Sequence, residues 1–304
     1  MTKRIAWAIT GAGCWLPESF AVLGKLLQVK DIKIDLFFSE AGREVAQCYG
    51  VFKAPVPLKT SFIDKVREIP NFNDEIFKQG FIEKYQWLGI QEKAKIDDKY
   101  LENKTNEEDS EDAFDFEEAF HDVIFELDEG SSFPSAASAS SGRYDLIVIS
   151  PATGNNVAKI SQGIADELVP NLAVMGNKSQ KTPIVIVPTD FKEGQIKSYL
   201  PIMLHSETCK KCSECSAVWA CKPGAIRRKR GKIRINRLKC IGCLDCVRYC
   251  RYHVITFLEE IDVNVRNREA EAANKLVNQE GFVVLESPEE AYKFLCKELK
   301  LKCI

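Results

Sequence analysis

Eight of the chain's twelve cysteines fall in two short runs, a spacing at which thiolates can share metal centres. The first run is Cys209, Cys212, Cys215 and Cys221; the second is Cys240, Cys243, Cys246 and Cys250. Each opens as C-x2-C-x2-C, with a fourth cysteine close behind. Three such thiolates wrap one face of an iron–sulfur cubane, while the fourth of each run reaches across to the other. The pattern predicts two [4Fe–4S] clusters and electron transfer. The expected ligand sets are Cys209, Cys212, Cys215 and Cys250 for one cluster, and Cys240, Cys243, Cys246 and Cys221 for the other. Zinc is the alternative, but a tetrahedral ion has no use for a third cysteine at the same short interval. Disulfides need an oxidising compartment, and no signal-peptide pattern precedes the first strand, so a reducing cytoplasm is expected.

The two runs resemble a bacterial-type, two-cluster ferredoxin. Five residues separate Cys215 from Cys221 where the family has three; Pro223 lies two positions after Cys221, and Arg251 follows Cys250. These departures leave the crossed connectivity open. Between the runs lies RRKRGKIRINR (227–237), and residues 205–253 hold thirteen Lys/Arg against three acidic residues. Placed between cluster ligands, this stretch suits an acidic electron carrier such as a ferredoxin rather than nucleic acid. Solubility alone is the plainer explanation.

The elements that position a second site precede the cysteines. Lys3–Thr10 reads as an apolar strand followed by Gly11-Ala12-Gly13 and a helix over 17–29. Ile32–Phe38 is a strand ending at Ser39, with a helix over 40–49. Tyr144–Ser150 runs into Pro151-Ala152-Thr153-Gly154-Asn155-Asn156 and a helix over 157–167, and 183–187 is a further strand, ending at Pro188-Thr189-Asp190 before a short helix from about Glu193. Strands alternating with helices predict an α/β fold, a flavodoxin/Rossmann-like doubly wound parallel sheet. Ligands bind beyond the carboxyl ends of such strands, where small residues let backbone N–H groups approach a phosphate. Turn chemistry alone explains a lone Gly-Ala-Gly about as well.

ITGAG, a strand ending in Ser39, and PATGNNVAKISQGIADEL together resemble the flavoprotein family of the cysteine decarboxylases and flavin prenyltransferases. PATGNN is similar to that family's PASANT motif, and GIAD matches the segment after it. With a two-cluster ferredoxin attached, the chain most resembles the archaeal flavoprotein/dihydromethanopterin reductase (acceptor) group. The resemblance implies FMN, two [4Fe–4S] clusters and transfer of electrons from a low-potential donor to a pterin or another acceptor. Gly11, Ala12 and Gly13 would lie along FMN, Ser39 would hold its phosphate or ribityl chain, and Thr153, Gly154, Asn155 and Asn156 would hydrogen-bond to it. Thr189 stands where the prenyltransferases carry a flavin-contacting Arg. The decarboxylases' catalytic His and Pro-x-Met-Asn segment have no counterpart here, which disfavours decarboxylation. The resemblance identifies no catalytic residue. It also implies a homo-oligomer built from trimers, extending to cages, with flavin at subunit contacts. An electron-transfer adaptor without its own small substrate is the alternative function.

At 304 residues the chain has room for one large domain and a small module. The expected division is a flavin domain over 1–204, a ferredoxin-like module over 205–260, and a helical tail over 261–304 packing on the flavin domain. The tail's elements are a helix over 265–278, a strand over 281–285 and a helix over 288–299. An insertion over 52–143 starts with helix-like apolar spacing over 61–88. It turns acidic over 97–130, with Phe114, Phe116, Phe120 and Phe125 available for docking, and 131–142 (SSFPSAASASSG) reads by composition as a flexible linker. Cys14, Cys48, Cys296 and Cys303 read as packing residues. No apolar run approaches the length of a membrane span.

Overall fold

The computed structural model of the chain describes residues 2–52 and 119–302. It opens with β1 (Lys3–Ile9), α1 (Leu16–Leu27), β2 (Ile32–Phe38) and α2 (Glu40–Cys48), followed by β3 (Asp122–Phe125), β4 (Leu146–Ala152), α3 (Gly154–Ser161), α4 (Leu168–Lys178) and β5 (Ile184–Pro188). Next come β6 (Gly194–Leu204), α5 (Ser216–Ala220), β7 (Ile226–Lys229), β8 (Lys232–Ile235), α6 (Asp245–Tyr249) and β9 (Ile255–Val265). The last described elements are α7 (Asn267–Val277), β10 (Phe282–Val284) and α8 (Pro288–Glu298). Of these residues, 2–46, 119–199 and 260–302 form one compact unit, while 47–52 and 200–259 form a second.

The first unit is built on six parallel strands in the order β10-β5-β4-β1-β2-β3. The chain winds outward in both directions from β1, so strand order reverses between β1 and β4, and ligands of such sheets bind at the crevice beyond that reversal. Ile5, Trp7 and Ile9 alternate with Ala6 and Ala8, and all five are fully buried because helices cover both faces. One face buries Ala8, Ile149 and Ile186 against Val157 of α3, Leu172 of α4 and Leu276 of α7. Outside that cluster, α1 packs on α8 and both reach β4.

A single buried carboxylate links four segments of the sheet. Asp35 of β2 accepts from Arg4 Nε and Nη2 at 3.0 and 2.7 Å and from the Tyr144 hydroxyl at 2.9 Å, while His121 Nδ1 lies 2.8 Å from its other oxygen. Burial, then the negative charge of Asp35, holds the Tyr144 hydroxyl protonated far above its usual range.

Three expectations need correction. Residues 131–142 form two 3-10 turns around a helical turn, Pro134–Ala137, with Ala136 and Ala139 at most 1% exposed. Their small side chains pack against α4 rather than serving as linker. The helix expected over 157–167 instead starts at Gly154, capped by Thr153, and stops at Ser161, shortly before Gly163 at φ 72. The next helix, α4, is hidden in sequence by Pro170, which lies in its first turn where the missing N–H costs nothing. The helix expected from about Glu193 is the strand β6, whose partner β9 lies far downstream. The expected helical spacing over 61–88, the acidic run over 97–118, Phe114 and Phe116 lie outside the described residues.

Replacing Asp35 with Ala removes the carboxylate that Arg4 and Tyr144 share and should cost about 3–5 kcal/mol. A chemical denaturation midpoint unchanged from wild type would refute this reading of the network.

Candidate functional site

The expected flavin residues follow the carboxyl ends of β1, β2, β4 and β5, and hydrogen bonds tie those ends together. The buried Thr10 hydroxyl donates to Pro151 O at 2.7 Å and accepts from Thr153 N at 2.9 Å. Thr189 N donates to Ala152 O at 2.9 Å, and Ser39 N donates to Ile9 O at 3.1 Å. Gly11–Gly13, Ser39, Thr153–Asn156 and Thr189 are thereby brought to one edge of the sheet.

Several of these residues already serve the chain. Ser39 Oγ accepts from Gly42 N at 3.0 Å, and Glu126 accepts from Glu40 N at 2.9 Å, so the start of α2 is covered. Thr153 Oγ1 accepts from Asn156 Nδ2 at 3.0 Å. Ala12 N turns back to Thr10 O at 2.8 Å. A β-carbon on Gly154 would sit 2.6 Å from Asp190 Oδ2, so this glycine admits the carboxylate to the start of α3. Asn155 is exposed, and Thr189 Oγ1 donates to Asp190 Oδ2 at 3.1 Å.

Two observations fit a phosphate-bearing flavin at this edge. The α1 N-terminus, directly after the Gly11–Gly13 loop, starts at Trp15 with no side-chain cap, and the first turn of a helix attracts anions. Asn156, 5% exposed, has a buried Oδ1 with no hydrogen-bond partner, an acceptor waiting for an N–H.

A second group of residues at this edge has no signature in the sequence, because its members come from three distant segments. The Cys14 thiol is pushed up to about 12 by burial and by the charges of Glu18 and Asp190. Burial raises the Glu18 carboxyl above its ordinary 4.5, and its Oε2 is buried without a partner. Burial, then Glu18, likewise raises the Tyr199 hydroxyl.

The second unit gathers the cysteines. Cys221, Cys240, Cys243 and Cys246 line one apolar pocket with Ile202, Ile226 and Leu244. Burial and then the neighbouring thiols of Cys243, Cys240 and Cys221 push Cys246 up to about 12. Among the described residues, no three His, Cys, Asp or Glu side chains converge on a point that one metal ion could fill. Four thiols that line one pocket without converging on a single point suit a cubane, in which each thiolate binds a different iron. Cys209, Cys215 and Cys250 pack in the same hydrophobic core, and Arg228 donates to the carbonyls of Cys212 and Ser213.

An open parallel sheet with a polar carboxyl edge, joined to a module of two four-cysteine sets, defines a redox protein that pairs a nucleotide-type cofactor with iron–sulfur centres. The chain belongs to the Flavoprotein family, whose profile matches residues 1–193. It is 31% identical over 295 residues to the dihydromethanopterin reductase (acceptor) of Methanocaldococcus jannaschii, covering 97% of this chain and 96% of that one. The protein of the same name from Methanosarcina mazei is 29% identical over 289 residues, covering 94% of this chain and 96% of its own length. The solved structure of Burkholderia xenovorans DmrB with FMN, described as a cubic protein cage for redox transfer, aligns over 98% of this chain and 96% of its own, with 17% identity and a TM-score of 0.49.

Because the folded-state pKa of Glu18 is raised, its ionisation costs stability. That cost is absent well below pH 4.5, grows as pH rises through the raised value, and is complete above it. Glu18→Gln should therefore raise the melting temperature at neutral pH and lose this advantage on acidification. An advantage independent of pH would contradict the burial of an ionisable carboxyl.

Proposed function

We propose that the chain is an FMN and iron–sulfur oxidoreductase of the cytoplasm, passing electrons from a low-potential donor through two [4Fe–4S] clusters to FMN and on to a dihydropterin. The observation that carries this reading is the four-cysteine cavity of Cys221, Cys240, Cys243 and Cys246 in a chain whose first unit has a flavoprotein's carboxyl edge. The names of the two archaeal relatives supply the pterin.

When bound, a flavin exchanges two electrons with a substrate and single electrons with clusters, which suits a chain holding both. The chain's own residues bind and orient. In this reading, the Gly11–Gly13 loop and the α1 N-terminus receive the phosphate, Asn156 Oδ1 accepts from the flavin, and Thr153 fixes the Asn156 amide. Ser39 and Thr189 hold the strand ends on either side. Cys221, Cys240, Cys243 and Cys246 hold one cluster; Cys209, Cys212, Cys215 and Cys250 hold the other. Assembly into a trimer-based homo-oligomer, with flavin sites completed by neighbouring chains, is part of the same reading.

Purified without oxygen, the chain should hold about eight irons and one flavin. Cys243→Ala should lose about four irons, keep its flavin, and no longer pass electrons from reduced ferredoxin to it. Zinc without flavin in the wild type would overturn the reading. Full loading with no pterin reduction would leave an electron-transfer adaptor.

The donor's docking surface follows from charge. The β7–β8 hairpin pairs Lys229 with Lys232 and Arg227 with Arg234, and Lys229, Arg230, Lys232 and Arg234 line one open cationic hollow. Arg228, from the same hairpin, holds the carbonyls of the first cysteine loop. An acidic ferredoxin fits this surface. Reversing Lys229 and Arg230 to Glu should raise the KM for ferredoxin at least tenfold at low salt and leave reduction by dithionite unchanged. An unaltered KM would place the donor elsewhere.

A further inference from the structure

The iron–sulfur unit includes a short piece of chain from far upstream. Residues 47–52 belong to it together with 200–259, although more than 180 residues separate Cys48 from Arg237. Tyr49 and Val51 are each 2% exposed, and Cys48 is 7% exposed.

This piece touches the loop Cys240-Ile241-Gly242-Cys243 at Cys240 and at Gly242. The Cys48 thiol donates to Arg237 O at 2.9 Å, and that carbonyl also accepts from Cys240 N at 3.0 Å. Gln47 Nε2 reaches Cys240 O at 3.5 Å. At the other end of the loop, Gly242 has φ 61 and lies directly on the upstream backbone. A β-carbon there would stand 2.5 Å from Gly50 N, 2.7 Å from Gly50 Cα and 2.8 Å from Cys48 O. The contacted atoms are backbone, which cannot swing aside, so any side chain at 242 must push the two segments apart. The backbone conformation at Gly242 favours glycine as well.

We propose that residues 47–50 are a structural part of the iron–sulfur centre, positioning the Cys240–Cys243 ligand loop through Gly242 and setting the potential of the cluster held by Cys221, Cys240, Cys243 and Cys246. The inference rests on the cluster assignment above and deepens it. Backbone pressed on backbone buries Gly242 and keeps water off that part of the loop. A reduced [4Fe–4S] cluster carries one more negative charge than an oxidised one, and water stabilises the more highly charged form. Covering the loop therefore holds the potential of this cluster down, and loosening the cover raises it. Gly242 and Cys48 act through the loop and are positioning residues, not ligands.

The test uses the full chain purified without oxygen, with iron and flavin per chain, electron paramagnetic resonance, and potentiometric titration of both clusters. Gly242→Ala should shift one cluster's midpoint potential upward and change its spectrum, or lose about four of about eight irons, with flavin content unchanged. Wild-type spectra and potentials at both clusters would overturn the proposal. Should Gly242→Ala fail to fold, Cys48 decides the matter. Cys48→Ala, which removes the donor to Arg237 O, should raise the same cluster's potential, and Cys48→Ser, which keeps a donor, should restore it. Equal potentials in the Ala and Ser variants would overturn the proposal. A wild type without iron would instead overturn the cluster assignment itself, so the two failures are distinguishable.

Discussion

The parallel alignment of β1, β2, β4 and β5 is the constraint on which the rest of the first unit depends. Parallel strands point their carboxyl ends the same way, so every loop following a strand gathers along one edge. The same alignment requires a helical crossover between neighbours, and those helices bury both faces of the sheet. Ile5, Trp7 and Ile9 on one side and Ala6 and Ala8 on the other are apolar for this reason. Thr10 then turns a topological consequence into a fixed site by joining the ends of β1 and β4 through its single hydroxyl.

Local patterns made much of this sheet readable. β2 spans Ile32–Phe38 as its alternation indicates, and α8 starts at Pro288 behind a Ser287 cap that accepts from Glu290 N. Elements defined by distant partners were not readable. β3 is four residues long and gains its identity only beside β2, and β6 needs β9. Residues 131–142 look like linker because Ser and Ala have little hydrophobic signal, yet Ala136 and Ala139 are small enough to sit flush against α4.

The site residues divide along the same line. Cys240, Cys243 and Cys246 announce themselves because their spacing lies within one loop, and the structure places Cys221 from the other run beside them. Ser39 and Thr153 could be located from sequence, but not their service as helix caps. Cys14, Glu18, Asp190 and Tyr199 meet only after α1, the end of β5 and the middle of β6 are in place. No spacing rule links four residues spread over so much chain.

The edge strand β10 has a consequence for how the protein is made. Residues 282–284 pair with β5, yet they follow the whole cysteine module in the chain. A ribosome therefore delivers both cysteine runs before the sheet can close at that edge. Until then β5 presents an unpaired row of backbone groups, open to adventitious strand pairing. The order of synthesis thus places both cysteine runs in the nascent chain before the flavoprotein sheet reaches its final form.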